Sequence, residues 1–266
     1  MNYKIADDVK PQAKLLIIAT IISVLIFVAS FFIPLLGYVV YPLQLFATFI
    51  HEGSHVLATV MTGGSVQSLT VSPDTSGVVW SLTQDGNWLQ RLIISSAGYL
   101  GTTAFGVALL AWFRYGFSSR KALYFASGFV GLMTLVFGLL APIWNVFSAK
   151  VGIASVAFTV LSGAALTAGL FAIARYAQLK WSNFALAFLA VQCLLNSIFS
   201  LKNLFLISAT TSSHSDAMNM AEATGIPAIA WVLIWIIGSV VMISIGLRLY
   251  AVSANSGKHD LPFEDQ

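Results

Sequence analysis

Ile50-His51-Glu52-Gly53-Ser54-His55-Val56 is the stretch that decides how this chain is read. It spells H-E-x-x-H inside an apolar run, with Pro42 to Phe49 leading in and Leu57 to Met61 leading out. Helical positions four apart share a face, so His51 and His55 can point both rings at one ion. Glu52 sits beside them, placed to reach a water held by that ion rather than the ion itself. An acidic residue in the middle of a membrane helix costs about 2.5–3.5 kcal/mol on insertion scales. A divalent cation gripped by the two imidazoles offsets that cost.

The rest of the chain supports a membrane setting. Its 266 residues are 58% hydrophobic and only 9% charged, with a mean hydropathy of +0.86. Soluble domains carry about a quarter charged residues, so this is a polytopic membrane protein. The net charge of +3 comes from basic residues scattered along the chain, which excludes a nucleic-acid footprint. The single cysteine, Cys193, excludes an intramolecular disulfide and a cysteine-based zinc site. It lies in an apolar run and reads as a small packing residue. Leu15 to Tyr38 is too long for a signal-peptide core and has no small-residue cleavage site, so it reads as a retained first membrane helix.

Apolar stretches able to span about 30 Å of hydrocarbon fall at 15–37, 42–61, 89–113, 121–144, 151–174, 182–208 and 227–250. The expected fold is therefore all-α, with six to seven transmembrane helices in one domain over residues 1–252 and a polar tail over 253–266. The first two stretches, separated by 37–41, form a tight helical hairpin. The sixth, interrupted by Gln192, Asn196, Lys202 and Asn203, is expected to be buried or irregular in its far half. Asn196 reads as an interhelical hydrogen-bonding residue, and Asn145 as a polar helix end that could also orient a ligand or substrate. Between the second and third helices, 65–72 and 78–82 are β-rich and flank Pro73-Asp74-Thr75-Ser76-Gly77, which predicts a β-hairpin. Arg114, Arg120, Lys121, Arg175, Lys180, Arg248 and Lys258 place the ends of the third, fifth and seventh helices in the cytoplasm. Lys4, Lys10 and Lys14 agree with that orientation if the second helix is re-entrant.

Catalytic zinc sites take three protein ligands and leave a position open, so two histidines are one ligand short. Asp74 and Asp85 both sit in turn sequences, and His259 lies in the tail. His214, Asp216 and Glu222 remain, clustered between the sixth and seventh helices. Asp216 is the preferred third ligand and His214 the alternative, while Glu222 reads as a solvated helix residue. Asp216 also suits the N-terminal cap of a short helix ending at Gly225.

These residues resemble the site-2 protease class of membrane-embedded zinc metallopeptidases, and most closely its compact bacterial peptidase-M-fifty-B-like branch. The matching blocks are His51-Glu52-Gly53-Ser54-His55, Thr62-Gly63-Gly64, Pro73-Asp74-Thr75-Ser76-Gly77, Ala97-Gly98-Tyr99-Leu100-Gly101, Ser215-Asp216-Ala217 and Thr224-Gly225-Ile226-Pro227 with Trp231. The resemblance implies a helical bundle around a zinc ion near one membrane face and hydrolysis of a peptide bond in or beside the bilayer. It implies His51, His55 and Asp216 as ligands, Glu52 as general base, and a membrane protein or peptide as substrate. It also implies a multi-pass location in a bacterial inner membrane. One departure stands out: the Asn-Pro-Asp-Gly-like or Leu-Asp-Gly motif that supplies the third ligand in the classical members is absent from this sequence. That departure keeps a second reading open, a zinc-binding membrane protein without protease activity. A small proton-relaying transporter is a third, disfavoured because the ionisable groups form one cluster rather than a trail.

Overall fold

The computed structural model describes residues 10–30, 32–83, 87–146, 151–211 and 215–251. Helix α1 (Lys10–Ser30) is followed by α2 (Pro34–Met61), which carries the H-E-x-x-H motif. A hairpin of β1 (Ser65–Val71) and β2 (Gly77–Leu82) leads to α3 (Trp88–Arg114). Then come α4 (Ser119–Leu132), a π-helical segment (Met133–Leu140) and α5 (Ala141–Trp144), which together make one rod. Helices α6 (Ile153–Tyr176), α7 (Leu179–Thr210), the short α8 (Asp216–Thr224) and α9 (Ala228–Ala251) complete the chain.

Among the described residues, five helices are long and apolar enough to cross a membrane: α3, the α4–α5 rod, α6, α7 and α9. Helix α1 contributes a shorter apolar stretch, Lys14–Ile26. The protein is an integral, multi-pass membrane protein, and the expected all-helical class with one hairpin is observed. Two boundaries differ from expectation. The break between α1 and α2 comes before Pro34, with a turn at Phe32, rather than at 37–41. Pro34 takes the first turn of α2, where its missing N–H is unneeded, and the helix then continues through Pro42. An internal proline is tolerated where neighbouring helices satisfy the freed carbonyl. The second difference is α7, which runs unbroken for 32 residues; its polar residues mark a face, not an interruption.

The surface is strongly apolar, with Phe125, Leu161 and Ile237 all more than 60% exposed, as lipid contact allows. Inside, hydroxyl groups hold helices together. Buried Thr103 of α3 bonds Ser197 of α7 at 2.5 Å and Ser239 of α9 at 3.0 Å. Such side chains serve as interhelical contacts where apolar surface alone gives no preference over lipid. At one end of the bundle, Arg120 donates to the Ala177 carbonyl at 2.9 Å, joining the start of α4 to the end of α6. The hairpin packs at the opposite end.

Gly63, at φ 79°, lets the chain leave α2 and enter β1. The strands pair antiparallel, with an irregularity between Val66 and Ser68. Strand β1 is the inner one: Leu69 and Val71 are fully buried in the main core. Its outer edge is closed by α6, where Val71 N–H donates to Thr159 Oγ1 at 2.8 Å and that hydroxyl donates to Ser155 O at 2.7 Å. Among the described residues, no strand pairs with the far side of β2. The turn is tied to α2 twice, by Tyr41 hydroxyl to Pro73 O at 2.8 Å and Thr48 hydroxyl to Thr75 O at 2.7 Å. Thr75 occupies the left-handed region at φ 67°, which is rare for a β-branched residue.

Replacing Thr159 by Val keeps the shape of the side chain and strands the Val71 N–H. A loss of about 1–3 kcal/mol is expected, read as a lower unfolding temperature in detergent and faster hydrogen exchange at Val71. Unchanged exchange at Val71 would show that α6 does not hold the hairpin.

Candidate metal centre

His51 and His55 lie one turn apart on α2, and their Nε2 atoms are 3.1 Å from each other. His55 Nδ1 is 2.7 Å from the carbonyl of Ile94 on α3. A carbonyl only accepts, so Nδ1 carries the proton and Nε2 presents its lone pair to the site. Asp216 Oδ2 lies 3.3 Å from His55 Nε2 and 3.7 Å from His51 Nε2. Bonds of about 2.0–2.1 Å around a tetrahedral zinc separate its ligand atoms by about 3.3 Å. The three observed separations bracket that value, and the set of two imidazole nitrogens and one carboxylate oxygen suits zinc. These three residues are a group able to hold a metal ion.

The supporting shell comes mostly from α3. Gly98 faces both imidazoles, and a Cβ there would collide with the Nε2 atoms of His51 and His55. Only glycine lets α3 approach this closely. The ring of His51 meets Tyr99 edge-on, with centroids 4.6 Å apart at 84°. Tyr99 stacks on Trp235 of α9 at 5.4 Å, and Trp235 Nε1 donates to Ser96 Oγ at 2.9 Å. Gly98 lies ten residues into α3, about 15 Å along its axis, so the cluster sits well inside the bundle.

Asp216 comes from the other end of the sequence on α8. Ser215 caps this helix by accepting from Met218 N–H at 3.2 Å, so Asp216 is the first helical residue rather than the cap. Buried Ala217 and Met220 anchor α8 in a cluster with Leu204, Val232 and Trp235. Gly225, left-handed at φ 73°, ends it as expected.

Glu52 is 5% exposed and lies against the start of β2. A Cβ added at Gly77 would sit 2.5 Å from its Oε1. Glu52, the two histidines and Asp216 line one cavity of about 470 Å³. The hairpin residues Thr75 to Val79 and Ser81 form part of the wall, and α7 contributes another part.

The remaining sequence assignments sort cleanly. Asp74 is a turn residue: its carboxylate accepts from the Ser76 hydroxyl at 2.6 Å and the Ser76 N–H at 3.0 Å, which holds its carboxyl below the usual range. Asn145 ends α5, donating to Ala141 O at 2.8 Å, and is not part of the cavity wall. Glu222 is exposed. Cys193 is buried in the main core. His214, Asp85, His259 and the tail from 252 lie outside the described residues. Asn196 lines the cavity with Ser200 and Asn203, and among the described residues it makes no interhelical side-chain hydrogen bond of the kind expected. The spacing of these three on α7 was the available signal. Gly98 and Tyr99 stand in the Ala97-Gly98-Tyr99-Leu100-Gly101 block of the resemblance, but their contacts with the imidazoles appear only when α3 is laid against α2.

No curated protein and no solved structure matches the chain. A match to one family runs over residues 17–246, a span that includes the motif helix, the hairpin and α8 together, and on that match the chain belongs to the Peptidase M50B-like family.

Proposed function

We propose that this protein is an intramembrane zinc metalloprotease that hydrolyses a peptide bond of a membrane protein or peptide, within or beside the bilayer. The observation that carries this reading is the convergence of His51, His55 and Asp216 on one point, with Glu52 in the same cavity. His51, His55 and Asp216 would hold the ion, leaving one position free in a tetrahedral set. When bound, zinc supplies the positive charge that makes water nucleophilic near neutral pH and polarises a carbonyl.

The chain's own residues do the rest. Glu52 accepts the proton of the attacking water and returns it to the leaving amine. His55 keeps its lone pair on the site because Ile94 O takes the Nδ1 proton. Tyr99 and Trp235 fix the ring of His51. Strand β2 offers its free edge along the cavity, and an extended substrate would pair there by strand addition. A helical substrate must unwind before it can do so. The surrounding apolar bundle limits the water that reaches the site. The basic ends of α3, α6 and α9 assign the opposite end to the cytoplasm, and a bacterial inner membrane is the setting that the resemblance favours.

Two substitutions test this. Glu52→Gln is expected to retain bound zinc while cleavage of a membrane substrate falls by at least about a hundredfold. Full cleavage by this variant would favour a zinc-binding protein without protease activity. Asp216→Asn is expected to weaken zinc binding by more than about a hundredfold, beyond what loss of an outer hydrogen-bond partner gives. Unchanged zinc content under competition with a chelator would remove Asp216 from the ligand set.

A further inference from the structure

We propose that the groove between the α4–α5 rod and α6 is a binding site for one anionic phospholipid. An acyl chain lies along the groove, and the phosphate meets Arg120 and Arg175 at its mouth. This groove shares no residue with the cavity of the metal centre, so the proposal stands independently of the protease reading.

Small side chains open the groove. Ala164, Ala168 and Ala172 recur every four residues on α6 and share one face. Beside them Gly163 admits Thr134 of the rod so closely that a Cβ there would collide with it. The space left between the two helices is about 590 Å³, walled almost entirely by apolar side chains. From Val160 to Tyr176 it runs about 24 Å along α6, enough to cross one leaflet of a hydrocarbon core about 30 Å thick. Volume and length together give a mean cross-section of about 25 Å². A helix about 10 Å across needs about 80 Å². The groove therefore has the width of a single hydrocarbon chain.

The mouth carries the complementary charge. Tyr176 ends the groove on α6, and the Arg175 guanidinium stands 5.6 Å from the centre of its ring. Arg120, in the first turn of α4, donates to the carbonyl of Ala177, the next residue after Tyr176, at 2.9 Å. Tyr124, one turn along from Arg120, packs edge-on against Phe171 of the groove wall, with centroids 5.4 Å apart. Two guanidinium groups thus flank the open end of an apolar slot. Guanidinium forks match phosphate oxygens in geometry and charge. Neither has an acidic partner among the described residues. The acidic side chains described, Glu52, Asp74, Asp216 and Glu222, lie on α2, the hairpin turn and α8. Basic helix ends attract anionic lipid in general; here they also adjoin a slot that fits its chain. The bound lipid would splint two elements that support the metal centre. Helix α6 closes β1 through Thr159, and the rod packs Phe129 against Gly53, next to Glu52.

The test uses the full-length protein in detergent, native mass spectrometry and three probes: phosphatidylglycerol, phosphatidylcholine with the same acyl chains, and glycerophosphoglycerol, which has the headgroup alone. One phosphatidylglycerol per chain is expected to be held about tenfold or more tightly than phosphatidylcholine, with no retention of glycerophosphoglycerol. In the double variant Arg120→Gln, Arg175→Gln, the preference is expected to fall to about twofold or less; glutamine keeps an N–H donor for the Ala177 carbonyl. Ala168→Phe, which fills the slot from an exposed position, is expected to displace the retained lipid. Equal retention of the two phospholipids by the parent protein overturns the proposal, as does a full preference in the double variant. Retention of glycerophosphoglycerol as tight as that of the lipid would mean a site for a soluble phosphate and overturn it too. Lipid retention unchanged in Ala168→Phe also overturns it, and a dimer broken by that variant would make the groove an interface between copies of the chain instead. If the double variant does not fold, Arg175→Gln alone carries the comparison. A severalfold loss of preference is then expected, and no loss overturns the proposal.

Discussion

The close approach of α3 to α2 at Gly98 governs the rest of the structure. Two imidazoles and two carboxylates lie among apolar helices, where unpaired charge is costly. They coexist because α3 comes near enough to hold them: Ile94 takes the His55 proton, Tyr99 covers His51, and the missing side chain at Gly98 leaves room for both Nε2 atoms. Any larger residue at 98 would push the helices apart or turn the rings away. Asp216 then completes the cluster from α8, which docks against the same region through Ala217 and Met220.

The hairpin is the second part of the design and depends on the same helix pair. Glu52 lies against Gly77 at the start of β2, so the carboxylate and the free strand edge are positioned by one contact. Tyr41 and Thr48 of α2 hold the turn, and Thr159 of α6 closes the inner strand. One edge is thereby sealed and the other left open toward the cavity. An exposed strand edge is usually a hazard. Here it opens on the candidate metal centre, which is the arrangement expected of a binding surface.

The sequence made the metal centre legible to different degrees. The four-residue spacing of His51 and His55 is a local property of any helix, so their shared face could be read directly. Asp216 was accessible because ionisable residues are scarce in this chain, and the hairpin because β-rich runs flank a turn sequence. The α1–α2 turn was misplaced because residues on both sides of it are equally apolar and both Pro34 and Pro42 look like helix starts. Averaged hydropathy also hid the polar face of α7: it records that Gln192, Asn196 and Asn203 are polar but not that they share a phase. Gly98 and Tyr99 stood out as part of a matching block, but the contacts they make depend on which helix packs against α2, which is a tertiary fact.

The central claim is that two histidines of α2 and one aspartate of α8 grip a single zinc ion. Zinc-edge X-ray absorption on the purified protein addresses it most directly. The expected spectrum shows about four light ligands, nitrogen or oxygen, at about 2.0–2.1 Å, with the multiple-scattering signature of two imidazoles. A metal-free protein, a shell with one imidazole or none, or a sulfur ligand at about 2.3 Å would contradict the account.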